Sequence, residues 1–253
     1  MIVTSLQPWT IVVTRDEPPA GALHEALRAF GLTPISCAVM EVQPPVDPAP
    51  LRRAAANLEG YEWLVCASRR SVDALVRSRS DPWPRGLRTA AVGHATALAL
   101  VNAGAEPAPV VASDSGSEAL SARLLPLDTW RGRRVLAPIA TEGRRDLVES
   151  LRAKGALVDD VEAYRMVPRP DAAIREAWVA ASPDATVIAS PQTAETLVRV
   201  LGADAVRALK AVVAIGATTA AALAAHGIVA TVPATANFTD AARCLAALAP
   251  KRA

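Results

Sequence analysis

At 253 residues, with 51% hydrophobic and 21% charged positions and a net charge of only +2, the chain excludes several classes of protein. It is longer than one average domain and short for three, so two domains are expected, each able to bury a core. So balanced a charge builds no long-range field to attract DNA or another polyanion, and any anion has to be held by local geometry.

Alanine dominates the apolar residues and aromatics make up 4%, the composition of a helix-rich globular protein. Cys37, Cys66 and Cys244 lie far apart without a C-x-x-C pair, which suits a reducing, cytoplasmic setting. The opening MIVTSLQPWTIVVTR has no signal-peptide pattern, and the soft stretch AVVAIGATTAAALAAHGIVATVPATA is broken by Gly, Thr, His and Pro. Neither nucleic acid nor membrane is expected as a partner.

In chain order, IVVT (11–14), LVCA (64–67), AAV (90–92), VLAPI (135–139), TVIA (186–189) and VVAI (212–215) read as short strands buried on both faces. Helical spacing follows the first at Leu23, Leu27 and Phe30, ending at Gly31. It follows the fourth at Leu147, Val148 and Leu151, ending at Gly155. In both, glycine stands where a helix end favours a left-handed residue. Strands alternating with helices predict two doubly wound parallel-sheet domains. AVMEVQPP (38–45) and EAYRMVPR (162–169) read as crossings between them. Sequential and exchanged assignment of the blocks to domains satisfy this pattern equally well.

The chain also repeats itself. AVGHATALALVNAG (91–104) returns as AIGATTAAALAAHG (214–227), with seven of fourteen positions identical. WLVCASRRSVDALV (63–76) pairs with ATVIASPQTAETLV (185–198), and TIVVTRDEPPAGALHEALRAFGLTPI (10–35) pairs with RVLAPIATEGRRDLVESLRAKGALVD (134–159). The offsets stay between 122 and 124 residues, so a unit of about half the chain was duplicated.

The repeated polar residues fall at carboxyl ends of strands, where open parallel sheets meet their ligands. Ser68 and Ser190 each end a strand and begin a helix, and Pro191 completes a cap-and-first-turn pair. Thr96 and Thr219 lie one turn past Gly93 and Gly216. Thr14-Arg15 and Thr141-Glu142 close the remaining strands. Each helix start offers unpaired N–H groups and about half an elementary charge, a small anion site. Two domains facing each other would aim several such sites at one ligand. Taken singly, every one of these residues also reads as an ordinary cap or tight turn.

Other chemistry is missing: there is no G-x-G-x-x-G after the first strand, Walker loop, H-E-x-x-H or G-x-S-x-G. His24 and His226 fall in helical patterns, where packing or surface roles are expected. His94 has Ala217 as its counterpart and so was not part of what was duplicated. No cluster has metal-ligand spacing. Anion sites without a strong base suggest conformational control of a reactive, multiply charged substrate.

The ordered set TR, LVCAS-R, AVGHATA, EGRRDLVESLRAKGALVDDVEAYR, IASPQTA and AIGATTA resembles the uroporphyrinogen-III synthase family over essentially the whole chain. The resemblance implies two flavodoxin-like α/β domains joined by a two-stranded connector. One would comprise residues 1–37 plus 168–253 and the other 43–163, with connectors at 38–42 and 164–167. It implies a monomer without metal or organic cofactor, a cyclising carbon–oxygen lyase of haem biosynthesis. Its substrate would be hydroxymethylbilane, closed to uroporphyrinogen III with ring D inverted and water lost.

By position, the resemblance makes Tyr164 the proton donor to the departing hydroxyl. It assigns substrate contacts to Arg15, Ser68, Arg70, Gly93, Thr96, Ser190, Gly216 and Thr219, with Thr218 as the alternative to Thr219. Ala211 stands where some members carry lysine, with Lys210 beside it. Transient contact with the preceding deaminase is a further expectation. Two other readings share the fold: a non-catalytic tetrapyrrole- or anion-binding regulator, and a sugar- or nucleotide-binding protein. The missing phosphate loop and scarce aromatic residues disfavour the second.

Overall fold

The computed structural model describes residues 8–112 and 116–250. The chain opens with β1 (Thr10–Val13), α1 (Ala22–Ala29), β2 (Thr33–Ser36) and β3 (Met40–Gln43). Next come α2 (Ala49–Ala56), β4 (Trp63–Cys66), α3 (Arg69–Arg77), β5 (Arg88–Val92), α4 (His94–Asn102), β6 (Val110–Ala112) and α5 (Gly116–Leu124). They are followed by β7 (Arg134–Ala140), α6 (Asp146–Ala153), β8 (Leu157–Pro168), α7 (Asp171–Ala181), β9 (Ala185–Ile188) and α8 (Pro191–Leu201). The chain closes with α9 (Ala203–Arg207), β10 (Ala211–Ala214), α10 (Ala217–Ala224) and α11 (Phe238–Leu248). All six apolar runs are strands, and Gly31 and Gly155 take φ of 74° and 87° after α1 and α6, the left-handed helix ends their positions predict. One expectation is corrected: α10 stops at Ala224, so His226 sits in the turn beyond it, 2.8 Å from Glu195 Oε2.

The chain divides into two compact units, residues up to Glu41 together with those from Val167, and Val42–Met166. In the first, the sheet runs β2-β1-β9-β10, every pair parallel. Beyond β10 a fifth strand survives only as the Val213–Thr231 bridge. Pro233, two residues further on, has no N–H to extend the ladder. In the second unit the order is β3-β8-β7-β4-β5-β6, parallel from β8 to β6. Counted in chain order from β4, the strands from β6 to β8 run 3-2-1-4-5, while β2-β1-β9-β10 of the first unit is the 2-1-3-4 start of a flavodoxin-like sheet. The order reverses between β7 and β4, and between β1 and β9 in the first unit. Such switch points leave a crevice at the carboxyl ends of the strands.

Alternation within β4 explains why helices cover both faces. Leu64 and Cys66 pack with Leu51, Leu75 and Leu100 from α2, α3 and α4, while Trp63 and Val65 pack with Leu120, Leu147 and Leu151 from α5 and α6. Each such leucine contributes about 1.5–3 kcal/mol. In the first unit Ile11, Val13, Val187 and Val213 meet Leu23 and Leu27 of α1 and Leu245 of α11.

The duplication is visible at the opposite, amino ends of the strands too. Glu62, just before β4, accepts from the Arg134 N–H at 2.8 Å, and its own N–H donates to the Arg134 carbonyl. Asp184, just before β9, makes the same two bonds with Thr10, again at 2.8 Å through the carboxylate. In both units an acidic side chain thus pins the first N–H of the neighbouring strand.

Candidate active site

In the second unit, Ser68 takes extended dihedrals (φ −153°, ψ 152°) that halt β4 and open α3. Its Oγ accepts from the Ser71 N–H at 3.2 Å and lies 3.0 Å from Ser71 Oγ. It also lies 3.2 Å from the hydroxyl of Tyr164. That last contact depends on an irregularity in β8. Val161, Ala163 and Tyr164 all pack in one cluster, although neighbours in a strand should face opposite ways. The register between β7 and β8 slips at Ile139/Ala140, so that Ala140 faces Tyr164. Such a bulge re-aims a side chain, and here it turns Tyr164 onto the face where α3 begins. The Tyr164 carbonyl accepts from the Thr141 N–H at 2.8 Å, which fixes the strand there. The ring is buried at 9% exposure, yet it borders a groove of about 430 Å³ beside Val42, Leu51 and Arg77. Arg70, on the first turn of α3, reaches Met166 Sδ at 3.5 Å, two residues beyond Tyr164.

The first unit repeats the cap with almost the same geometry. Ser190 has φ −149° and ψ 153°, and its Oγ accepts from the Thr193 N–H at 3.2 Å and lies 2.8 Å from Thr193 Oγ1. The hydroxyl three residues after each serine is a partner that reading serines alone does not find. The spacing Ser68-x-x-Ser71 and Ser190-x-x-Thr193 is the signal that could have found it.

The two glycine loops share sequence but not backbone. Gly93 opens α4 with φ 79° and ψ 150°, while Gly216 opens α10 with φ −145° and ψ 165°. Thr96 and Thr219 are buried at 4% and 2% exposure, whereas Thr218 is exposed. Of the adjacent threonines, Thr218 is therefore the one open to a ligand. His94 is exposed on the first turn of α4.

Two charged positions of the first unit have a carboxylate partner there. Arg15 pairs with Glu17 at 3.1 Å and lies 4.6 Å above the Phe238 ring. Lys210 pairs with Asp184 at 2.6 Å and lies 5.8 Å from the centre of the Trp9 ring, while Ala211 is buried as the first residue of β10. All three cysteines are free thiols. Burial pushes Cys66, two residues before Ser68, well above the ordinary thiol range, and pushes Cys37 up to about 11 against the charge of Arg169. Neither is a ready nucleophile. Among the described residues, no group of three or more His, Cys, Asp or Glu could hold a metal ion, and no helix is long and apolar enough to cross a membrane.

The candidates thus fall into two sets. Ser68, Arg70, Gly93, Thr96 and Tyr164 belong to the second unit, where Ser68 meets Tyr164. Arg15, Ser190, Gly216, Thr218 and Thr219 belong to the first. Within each unit these are helix starts and strand ends with unspent N–H groups, suited to carboxylates. Only the second unit adds a phenol.

Comparison with known proteins gives this geometry a lineage. A uroporphyrinogen-III synthase of Synechococcus elongatus is 29% identical over 160 residues, 61% of this chain and 60% of that one. Its counterpart from Salmonella typhimurium is 30% identical over 159 residues, 62% of this chain and 64% of that one. The matched stretch therefore spans less than two thirds of the length of these curated relatives. Among solved structures, a uroporphyrinogen-III synthetase from Helicobacter pylori superposes with a TM-score of 0.65 at 16% identity, covering 95% of this chain and all of that one. A mutant uroporphyrinogen III synthase from Thermus thermophilus gives 0.58 at 19%, covering 94% and 98%. At such identities the likeness is one of fold. The family model described as uroporphyrinogen-III synthase HemD matches residues 21–242. With most of its length inside that match, the chain belongs to the uroporphyrinogen-III synthase family.

Proposed function

We propose that this chain acts in tetrapyrrole biosynthesis as a cyclising carbon–oxygen lyase, converting hydroxymethylbilane to uroporphyrinogen III with inversion of ring D and loss of water. The observation that carries the reading is the Tyr164 hydroxyl set 3.2 Å from the cap Ser68 at the start of α3. There a proton donor adjoins a site built for a carboxylate.

The substrate supplies its own driving force. The electron-rich pyrrole of ring A expels the terminal hydroxyl, leaving an azafulvene-like cation. Ring D attacks that cation through its already substituted carbon, and the spiro intermediate fragments and recloses inverted. Tyr164 donates to the departing hydroxide, and the phenolate recovers a proton as the closed ring loses one. No metal or organic cofactor enters this scheme.

Unassisted, the linear chain closes without inversion, so the protein's task is to hold one folded conformer. In this proposal the N-termini of α3, α4, α8 and α10 take the acetate and propionate carboxylates. Ser68, Ser190, Gly93 and Gly216 shape them, Thr218 and Arg70 add direct contacts, and the buried Thr96 and Thr219 fix the loops. Connectors at 38–42 and 164–167 serve as hinges, and the protein acts as a cytoplasmic monomer that can receive substrate from the preceding deaminase.

The test is to feed freshly made hydroxymethylbilane to the purified chain and separate the isomers of the oxidised product. Isomer III in excess over a buffer control is expected. Isomer I alone, at the control rate, overturns the proposal and leaves the non-catalytic binder as the reading.

A further inference from the structure

In the first unit, three side chains from separate elements line up in an order that the proposed cyclisation does not use. Glu17 lies in the loop after β1, His24 in α1 and Ser36 at the end of β2. His24 Nδ1 is 2.9 Å from Glu17 Oε1, and its Nε2 is 2.9 Å from Ser36 Oγ. The histidine is buried at 1% exposure while Ser36 is exposed, so the array runs from the interior to the surface. Glu17 is itself fixed. Oε1 accepts from the Leu23 and His24 backbone N–H groups, both at 3.1 Å, and Oε2 pairs with Arg15 at 3.1 Å.

Hydrogen-bond bookkeeping sets the direction of the relay. An ionised carboxylate only accepts, so a neutral His24 facing it carries its hydrogen on Nδ1 and offers a lone pair at Nε2. The Ser36 O–H must then donate inward to Nε2, which leaves its oxygen lone pairs facing out. A hydroxyl held by a base that a carboxylate orients in turn is the arrangement of an activated nucleophile.

We propose that Ser36, backed by His24 and Glu17, is an acyl-accepting serine that reacts with activated carboxylic esters and phosphonyl fluorides. In the step, Ser36 Oγ bonds to the acyl carbon and the bond from that carbon to the leaving oxygen breaks. The Oγ proton passes through His24 Nε2 to the departing oxygen. With a phosphonyl fluoride the P–F bond breaks and hydrogen fluoride leaves. Cys37, adjacent in sequence, does not compete, because its thiol is buried and held protonated.

The experiment treats the full chain with a fluorophosphonate probe and, separately, with p-nitrophenyl acetate, followed by intact mass and peptide mapping. One adduct per chain on Ser36 is expected, together with one equivalent of p-nitrophenolate released in a burst. Ser36→Ala abolishes both. A folded His24→Gln slows labelling by about 100-fold or more, the scale of general-base assistance. Because His24 is buried, each variant's melting curve is recorded. Should His24→Gln not fold, Ser36→Ala with a wild-type melting temperature decides alone. No adduct, an adduct on an exposed serine such as Ser182 instead, or undiminished labelling in Ser36→Ala overturns the proposal, as does wild-type labelling in a folded His24→Gln.

Discussion

The loops at Gly93 and Gly216 descend from one sequence and now hold different backbones, while the caps at Ser68 and Ser190 agree within 4° in both dihedrals. The neighbouring chain explains the contrast. Beside Gly93 a complete strand, β6, brings the Ala112 carbonyl 2.8 Å from the Gly93 N–H, and the glycine turns to positive φ to meet it. Beside Gly216 that strand is reduced to one bridge, and the glycine stays extended. A cap whose partner lies three residues along the same helix survives duplication, whereas a turn whose partner lies on another strand follows that strand. The same comparison separates the units chemically, since only Ser68 has a tyrosine hydroxyl beside it.

The largest test of that difference is Tyr164→Phe. The ring and its packing stay, so the melting temperature should hold within a degree or two while turnover falls about 100-fold, the scale of one positioned proton donor. Unchanged turnover removes the donor role. Next comes the glycine pair. Gly93 sits where essentially only glycine is at ease, so Gly93→Ala should cost about 1–3 kcal/mol. Gly216 is extended and an added Cβ meets nothing within 4 Å, so Gly216→Ala should leave the thermal unfolding curve nearly unmoved. Equal losses would show that the two backbones do not differ as described.

The serine caps give a smaller effect. Ser68→Ala and Ser190→Ala should each lose about 1 kcal/mol of stability in denaturant titration. Ser68→Ala should reduce turnover further, because Tyr164 loses its hydroxyl partner as well. Smallest is the acid response of the two strand pins. Glu62 lies below the usual carboxylate range, chiefly through the Arg134 N–H and then Arg133. Burial works to raise Asp184, but Lys210 and the Thr10 N–H outweigh it and the net shift is downward. A carboxyl depressed in the fold stabilises above its unfolded value, near pH 4, and that contribution drains as pH falls through the folded value. Melting temperature should therefore drop in the acid range below about pH 4, and Glu62→Gln or Asp184→Asn should flatten that limb. Acid limbs identical to wild type in both variants would exclude this role.

Much of the architecture was legible in the sequence because central parallel strands are apolar on both faces, as the fully buried WLVC, ATVI and AVVA show. β2 escaped notice because TPIS is an edge strand with two exposed threonine and serine ends, and β6 because three residues carry no period. The caps could be read since a serine between an apolar run and a helical pattern, with Pro191 after Ser190, acts locally. The position of Tyr164 could not, since a bulge in β8 sets which face it joins and no local spacing encodes a slipped register. Nor did Thr218-Thr219 reveal which threonine is exposed until the pitch of α10 was fixed.

An amide-resolved NMR titration with uroporphyrinogen III tests the central claim, that duplicated helix starts hold the acidic arms of one ligand, most directly. The account predicts shifts concentrated in the first turns after Ser68, Gly93, Ser190 and Gly216, in both units at one equivalent of ligand. Saturable shifts confined to one unit, or lying away from all four helix starts, would contradict it.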